Sequence, residues 1–165
     1  MSWYVVATKP NRERSAEANL SNQGYDIFFP IAEKIRRHAR RVDIVRRPLF
    51  PGYLFVQFDP ATTAWRAING TVGVRHLLMN NGRPQSIHGN FIKAIKLRIS
   101  ASGVISEDAP VYKEGEKVEL MSGPMQGHLA TIFSADENGR IKILLAMMGG
   151  EVISTIAVED IQKAG

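Results

Sequence analysis

Cysteine is absent from all 165 residues. That excludes a disulfide framework and thiolate chemistry, and it fits a reducing compartment. No apolar run approaches membrane-spanning length. The first residues lack a charged segment followed by an apolar one, so no secretory leader is read. A cytoplasmic protein without a membrane partner is expected. Histidine is sparse: His38, His76, His88 and His128 are scattered and show no metal-ligand spacing. Neither a Gly-x-Ser-x-Gly elbow nor a phosphate-cradling Gly-x-x-x-x-Gly-Lys occurs. The reading is of a protein that is not an enzyme and takes no cofactor or metal.

What is present is charge, unevenly spread. Residues 1–99 hold 16 Lys/Arg against 6 Asp/Glu, whereas residues 111–165 hold 5 against 8. The intervening 100–110 contains Ser, Gly, Glu, Asp and Pro with little periodicity and is a linker candidate. Such asymmetry predicts two units with different partners. A basic first unit fits a polyanion, and a slightly acidic second does not.

The most informative stretch is Pro48-Leu49-Phe50-Pro51-Gly52-Tyr53-Leu54-Phe55-Val56-Gln57-Phe58. Two prolines around an aromatic and a glycine set a turn, and a β-rich run follows. Side chains alternate along a strand, so Leu54, Val56 and Phe58 share an apolar face. Tyr53, Phe55 and Gln57 share the other. That second face is either an exposed aromatic patch for a partner or part of a strand buried on both sides.

Around this strand the pattern reads strand (Trp3–Thr8), helix capped by Asn11, and strand (Asp26–Ile31). A basic hairpin or long loop over 33–47 follows, then the 53–58 strand. A helix (Ala61–Ile68), a strand (Val74–Met79) and a helix (Gly89–Ile99) complete an α+β sandwich. Beyond residue 110 the pattern turns all-β. Strands are read at 117–121, 129–135, 141–147, 152–157 and 158–162, with hairpin signals at Asn138-Gly139 and Gly149-Gly150. Five short strands form either a small closed barrel or an open sheet packed on the first unit. Against this stands one conflict: residues 143–148 are mostly good helix formers.

Three segments in order carry a resemblance to a known family. Pro48 to Phe58 resembles the corresponding strand of the NusG family of transcription elongation factors, and its RfaH-type members in particular. Ser2-Trp3-Tyr4-Val5-Val6 is similar to the first strand of that family's N-terminal domain. The glycine-rich segment near Gly123 resembles its C-terminal KOW module. The resemblance implies an N-terminal α/β sandwich over 1–99, a linker over 100–110 and a five-stranded SH3-like KOW barrel over 111–165. In RfaH the same module can exist as a helical hairpin, so a fold switch is a second implied form. Three glycines and the Asn-Gly turn favour the barrel as the ground state.

The resemblance also implies roles. Phe50, Tyr53 and Phe55 match positions that grip a coiled-coil of the largest RNA polymerase subunits. Lys9, Arg12 and Arg14, with Asn69 and Thr71, match a region near upstream or non-template DNA. Met147 and Met148 match KOW positions that dock a second factor, such as a small-subunit ribosomal protein or a termination factor. A strand would instead send one of these methionines into the barrel. This chain departs from RfaH-type members at Val72, where they carry a basic residue, at Ala7, and at Ala64-Trp65-Arg66. Independently of family, Arg36, Arg37, Arg40 and Arg41 sit in a run whose repulsion a phosphate backbone would relieve. The alternative is a solvated face. The implied function is transcription elongation and antitermination by a monomer. An RNA- or ribosome-binding KOW protein is the rival reading, and the acidic second unit argues against it.

Overall fold

The structure is a computed structural model that describes residues 1–107 and 136–148. The chain divides into two compact units, one of Met1–Phe29 with Phe50–Ile92, the other of Pro30–Leu49 with Lys93–Gly165.

In the first unit, β1 (Ser2–Thr8) is the central strand. It pairs antiparallel with β5 (Tyr53–Phe58) from Ser2↔Phe58 to Ala7↔Tyr53. β2 (Asp26–Phe28) lies outside β5. β6 (Val74–Leu77) and β9 (Ser86–Ile87) both pair with β1, completing a five-stranded sheet. Aromatic and β-branched residues suit these half- or fully buried strands. α1 (Glu13–Asn22) buries Ala16 and Leu20, spaced i, i+4. Its start differs from the sequence reading: Asn11 is not the cap but sits in the left-handed region at φ 59, and Arg12 takes the cap position without a side-chain bond. Its end is as read, with Gly24 at φ 92 just beyond the cap.

One sheet face packs Tyr4, Val6, Leu54, Val56 and Phe58 with Ala16, Leu20 and Ile68. Each fully buried aliphatic or phenyl side chain there contributes about 1.5–3 kcal/mol. Tyr4 stacks on Phe58 at 4.2 Å. Burial pushes the Tyr4 hydroxyl above its ordinary pKa of 10.0, with a hydrogen bond from Ser2 opposing and the Asp59 charge adding. The helix expected over 61–68 shrinks to α2 (Arg66–Asn69), because Asp59 instead caps a turn, its Oδ1 accepting from Ala61 N at 3.0 Å. β7 (Met79–Asn80) and β8 (Arg83–Pro84) form a small hairpin whose turn has Asn81 at φ 53 and Gly82 at φ 76. α3 (Gly89–Lys96) follows and buries Phe91, Ile92 and Ile95.

In the second unit, β3 (Ile31–His38) and β4 (Arg41–Pro48) pair in register from Ile31↔Pro48 to His38↔Arg41. Only Ala39 and Arg40 lie in the turn, with Ala39 at φ 52. Within the segment read as a linker, β10 (Ile105–Ser106) runs parallel to β3 at Ala32 and Glu33, and Val104 and Ile105 are buried.

The C-terminal residues bring a correction. Residues 141–147, read as a barrel strand after an Asn-Gly hairpin, lie in a helix, α4 (Glu137–Met147). Asp136 is its cap, Oδ1 accepting from Gly139 N at 2.8 Å. Asn138 and Gly139 therefore occupy a helical first turn, where a glycine costs less than in the interior. Arg140, Ile143, Leu144 and Met148 form the buried stripe. The strands read at 117–121, 129–135, 152–157 and 158–162, and the Gly149-Gly150 turn, lie outside the described residues.

Candidate functional site

The Pro48–Phe58 stretch folds as its residues dictate. Pro51 and Gly52 are the central pair of a turn closed by Tyr53 N donating to Phe50 O at 3.0 Å. Gly52 at φ 86 supplies the positive φ that a type II turn requires after proline. The following strand is buried on both faces. Phe55 and Phe50 are 0% and 1% exposed, whereas Tyr53 is half-buried. Phe50, Phe55 and Phe91 pack with ring centroids 5.7–6.1 Å apart, and Phe28 adds a fourth ring 5.9 Å from Phe55. Of the three aromatics assigned to polymerase, Tyr53 alone presents appreciable surface.

The basic junction after β1 is held against the loop 69–73. Lys9 N donates to Gly73 O at 2.9 Å. Gly73, at φ 93, lies so close to α1 that a Cβ would stand 2.8 Å from Ala16 N and 3.1 Å from Arg12 O. Gln23 Nε2 donates to Thr71 Oγ1 at 2.9 Å, which itself donates to Ala67 O at 3.0 Å. Asn69 Oδ1 accepts from Leu77 N at 2.7 Å, and Asn19 Nδ2 donates to Val72 O at 3.1 Å. Thr71 is buried, while Asn69, Lys9 and Arg12 are exposed and Val72 is 71% exposed. Arg14 is exposed too, its guanidinium 5.0 Å above Phe29 and 3.0 Å from Glu17. Asn69 and Thr71 thus shape the loop, with Lys9 and Arg12 exposed beside it and Arg14 paired with Glu17.

The hairpin separates the arginines that the sequence groups. Residues directly opposite share a face, so Lys34, Arg36, His38 and Arg41 lie on one side, with Asp43 opposite Arg36. Arg37 lies on the other with Ile35, Val42 and Ile44, and Arg40 is in the turn. Arg36, Arg37, Arg40 and Arg41 are all exposed. Nearer the base, Arg46 Nε bonds Glu33 at 2.8 Å and Arg47 lies 3.8 Å from Glu137.

α4 carries Met147 half-buried and Met148 buried, on a helix rather than on opposite faces of a strand. Sequence reasoning passed over Arg140 on the same helix. It is 3% exposed, its Nε donates to Leu49 O at 2.8 Å, and its Nη2 lies 2.8 Å from the Glu107 carboxylate. The signal was an arginine in an i, i+3, i+4, i+8 stripe with Ile143, Leu144 and Met148, preceded by Asp136 and Glu137, a cap and an acidic first turn.

Among the described residues no cluster of three or more His, Cys, Asp or Glu side chains could hold a metal. No described helix is long and apolar enough to cross a membrane.

Comparison with known proteins bears on this site. The family model described as transcription termination factor nusG matches residues 1–96. The transcription termination/antitermination protein NusG of Thermus thermophilus is 26% identical, with 99% of each chain covered. That of Helicobacter pylori is 22% identical over 99% of this chain and 98% of its own. The Rickettsia conorii protein is 23% identical over 89% and 82%. A solved structure titled for domain interaction in Thermotoga maritima NusG covers 57% of this chain and 54% of its own, at 24% identity and a TM-score of 0.40. The family match takes in β1, the basic junction, the hairpin and the Pro48–Phe58 strand together, and the chain belongs to the NusG family.

Proposed function

We propose that this protein is a non-enzymatic transcription elongation and antitermination factor. The observation that carries this reading is the family match over residues 1–96, which contains every residue assigned to polymerase or DNA. The relatives' names, termination and antitermination proteins, agree with it. Residues 1–99 bridge the polymerase cleft, with Tyr53 seated on a coiled-coil of the largest subunits. Lys9, Arg12 and Arg14, with Arg36, Arg37, Arg40 and Arg41, contact upstream or non-template DNA. Asn69 and Thr71 set the loop between them. Holding the clamp closed favours the active polymerase state and suppresses pausing. Residues 111–165 act as a KOW module that recruits a ribosomal protein or termination factor through Met147 and Met148, at an effective concentration raised by the tether. The helix at 137–147 and the burial of Phe50 and Phe55 support a resting form that must rearrange before those two rings and a KOW barrel become available.

The test is the affinity of the full chain for purified core RNA polymerase. Tyr53→Ala should fold normally and bind ~10-fold or more weakly, as removal of an aromatic anchor does. Unchanged affinity in the folded variant removes Tyr53 from the interface.

A further inference from the structure

The β3–β4 hairpin has two unlike faces: Arg36 and Arg41 lie on one, and of the arginines assigned to DNA only Arg37 lies on the other, with Arg40 in the turn. On the second, Ile35 stands directly opposite Ile44, and Val42 is the next residue on that face beyond Ile44. Val42 is 66% exposed and Ile44 64%, with Ile35 at 43%. Three branched aliphatic side chains side by side form a patch rather than a scatter of single residues. Strand propensity does not demand them, since threonine is also a good strand former. On that face the balance is cationic: Arg37 faces Val42 across the strands, the Glu33–Arg46 pair flanks Ile35 and Ile44 on the other side, and Arg40 stands at the tip. Lys34, Arg36 and Arg41 occupy the opposite face.

We propose that the Val42–Ile44 stripe is a protein-docking surface, and that its occupant is an apolar, acid-rimmed patch on a protein of the polymerase elongation complex. The inference rests on the elongation-factor reading. Charge selects an acidic rim, because the cations around the stripe would repel a basic one. Chemistry selects protein over nucleic acid. Aliphatic side chains give no stacking platform for bases, and duplex DNA offers them little besides thymine methyl groups. The hairpin then works as a two-sided wedge, with phosphate against Arg36 and Arg41 and protein against Val42 and Ile44.

The test compares the full chain with Val42→Thr/Ile44→Thr, which keeps β-branching and charge while removing the apolar surface. Three quantities are measured: affinity for an assembled elongation complex, affinity for the bare DNA duplex, and mass in solution. The stripe assignment expects complex affinity to fall ~10-fold or more while duplex binding stays within about twofold. Amide spectra that overlay outside the hairpin establish that the variant folds. Equal complex affinity in parent and variant overturns the proposal and leaves the elongation-factor reading standing. An equal fall in affinity for bare duplex overturns it in favour of a DNA contact. A parental dimer that the variant dissolves overturns it in favour of a second copy. A parent that does not bind the elongation complex removes both readings together.

Discussion

At the scale of single residues, Tyr53 and Phe55 show how two side chains on one strand face come to differ. Phe55 lies in a cluster with Phe28, Phe50 and Phe91, while Tyr53, beside the Pro51-Gly52 turn, keeps surface. Phe55→Ala should therefore cost on the order of 3–5 kcal/mol in chemical denaturation. Tyr53→Ala should cost about 1 kcal/mol or less and act on binding instead. Equal destabilisation by the two would mean that Tyr53 is a core residue as well. Tyr4 gives a pH dependence. Its folded pKa lies above 10.0, so it keeps its proton at pH values where the unfolded chain ionises. The stability it contributes is intact below the unfolded value and is lost as pH rises through the folded one. Tyr4→Phe should flatten the fall in stability above pH ~10. An identical alkaline profile in the variant would place the effect elsewhere.

At the scale of elements, α4 and the hairpin show what local sequence can and cannot settle. Asn138-Gly139 satisfies a hairpin turn and a helical first turn alike, and Asp136 decides for the helix by bonding Gly139 N. Arg140 adds a buried anchor through Leu49 O and Glu107. Asp136→Ala should cost about 1 kcal/mol of helix stability. Arg140→Met should cost roughly 2 kcal/mol, below the range for a fully buried pair because the Glu107 carboxylate retains some solvent. Carbon chemical shifts across residues 137–147 check both: they should move toward coil or strand values in the double variant. Persistence of full helical shifts would show that the apolar stripe of Ile143, Leu144 and Met148 suffices alone. The segment 33–47 was legible as either a basic hairpin or a long loop, and the structure shows the hairpin. Which arginines share a face was not legible, because register depends on where the turn falls, and it falls at Ala39-Arg40.

At the scale of the whole molecule, charge is the dominant variable. The excess of Lys/Arg in residues 1–99 is a sequence-level fact, and its use depends on exposure. Lys9, Arg12, Arg36, Arg37, Arg40 and Arg41 are all exposed, so DNA affinity should fall steeply with salt. Reversing Arg36, Arg37, Arg40 and Arg41 to glutamate should lower the slope of log affinity against log salt by ~0.9 for each phosphate no longer neutralised. A slope equal to the parent's would assign the run to a solvated face.

Composition and pattern alone determined much of this protein. The absence of cysteine and of membrane-length runs, the basic first part, the Pro-Gly turn and the strand-helix order through residue 58 follow from local chemistry, whereas the short strands β7, β8 and β9 were not read. A type II turn or an amphipathic helix needs only its own residues. Tertiary structure decided the rest. Phe50 and Phe55 are equally compatible with surface and core until the residues that surround them are in place. Asn69 and Thr71 also gain a scaffolding role that the sequence did not show, because Leu77, Gln23 and Ala67, distant or adjacent in sequence, share hydrogen bonds with them. Residues 137–147 have helix-forming side chains and hairpin-forming Asn-Gly, preferences that differ by about 1 kcal/mol per glycine. A margin that small is tipped by the Asp136 cap, which local sequence does offer, and by the burial of Arg140 against Leu49 O and Glu107, which it does not.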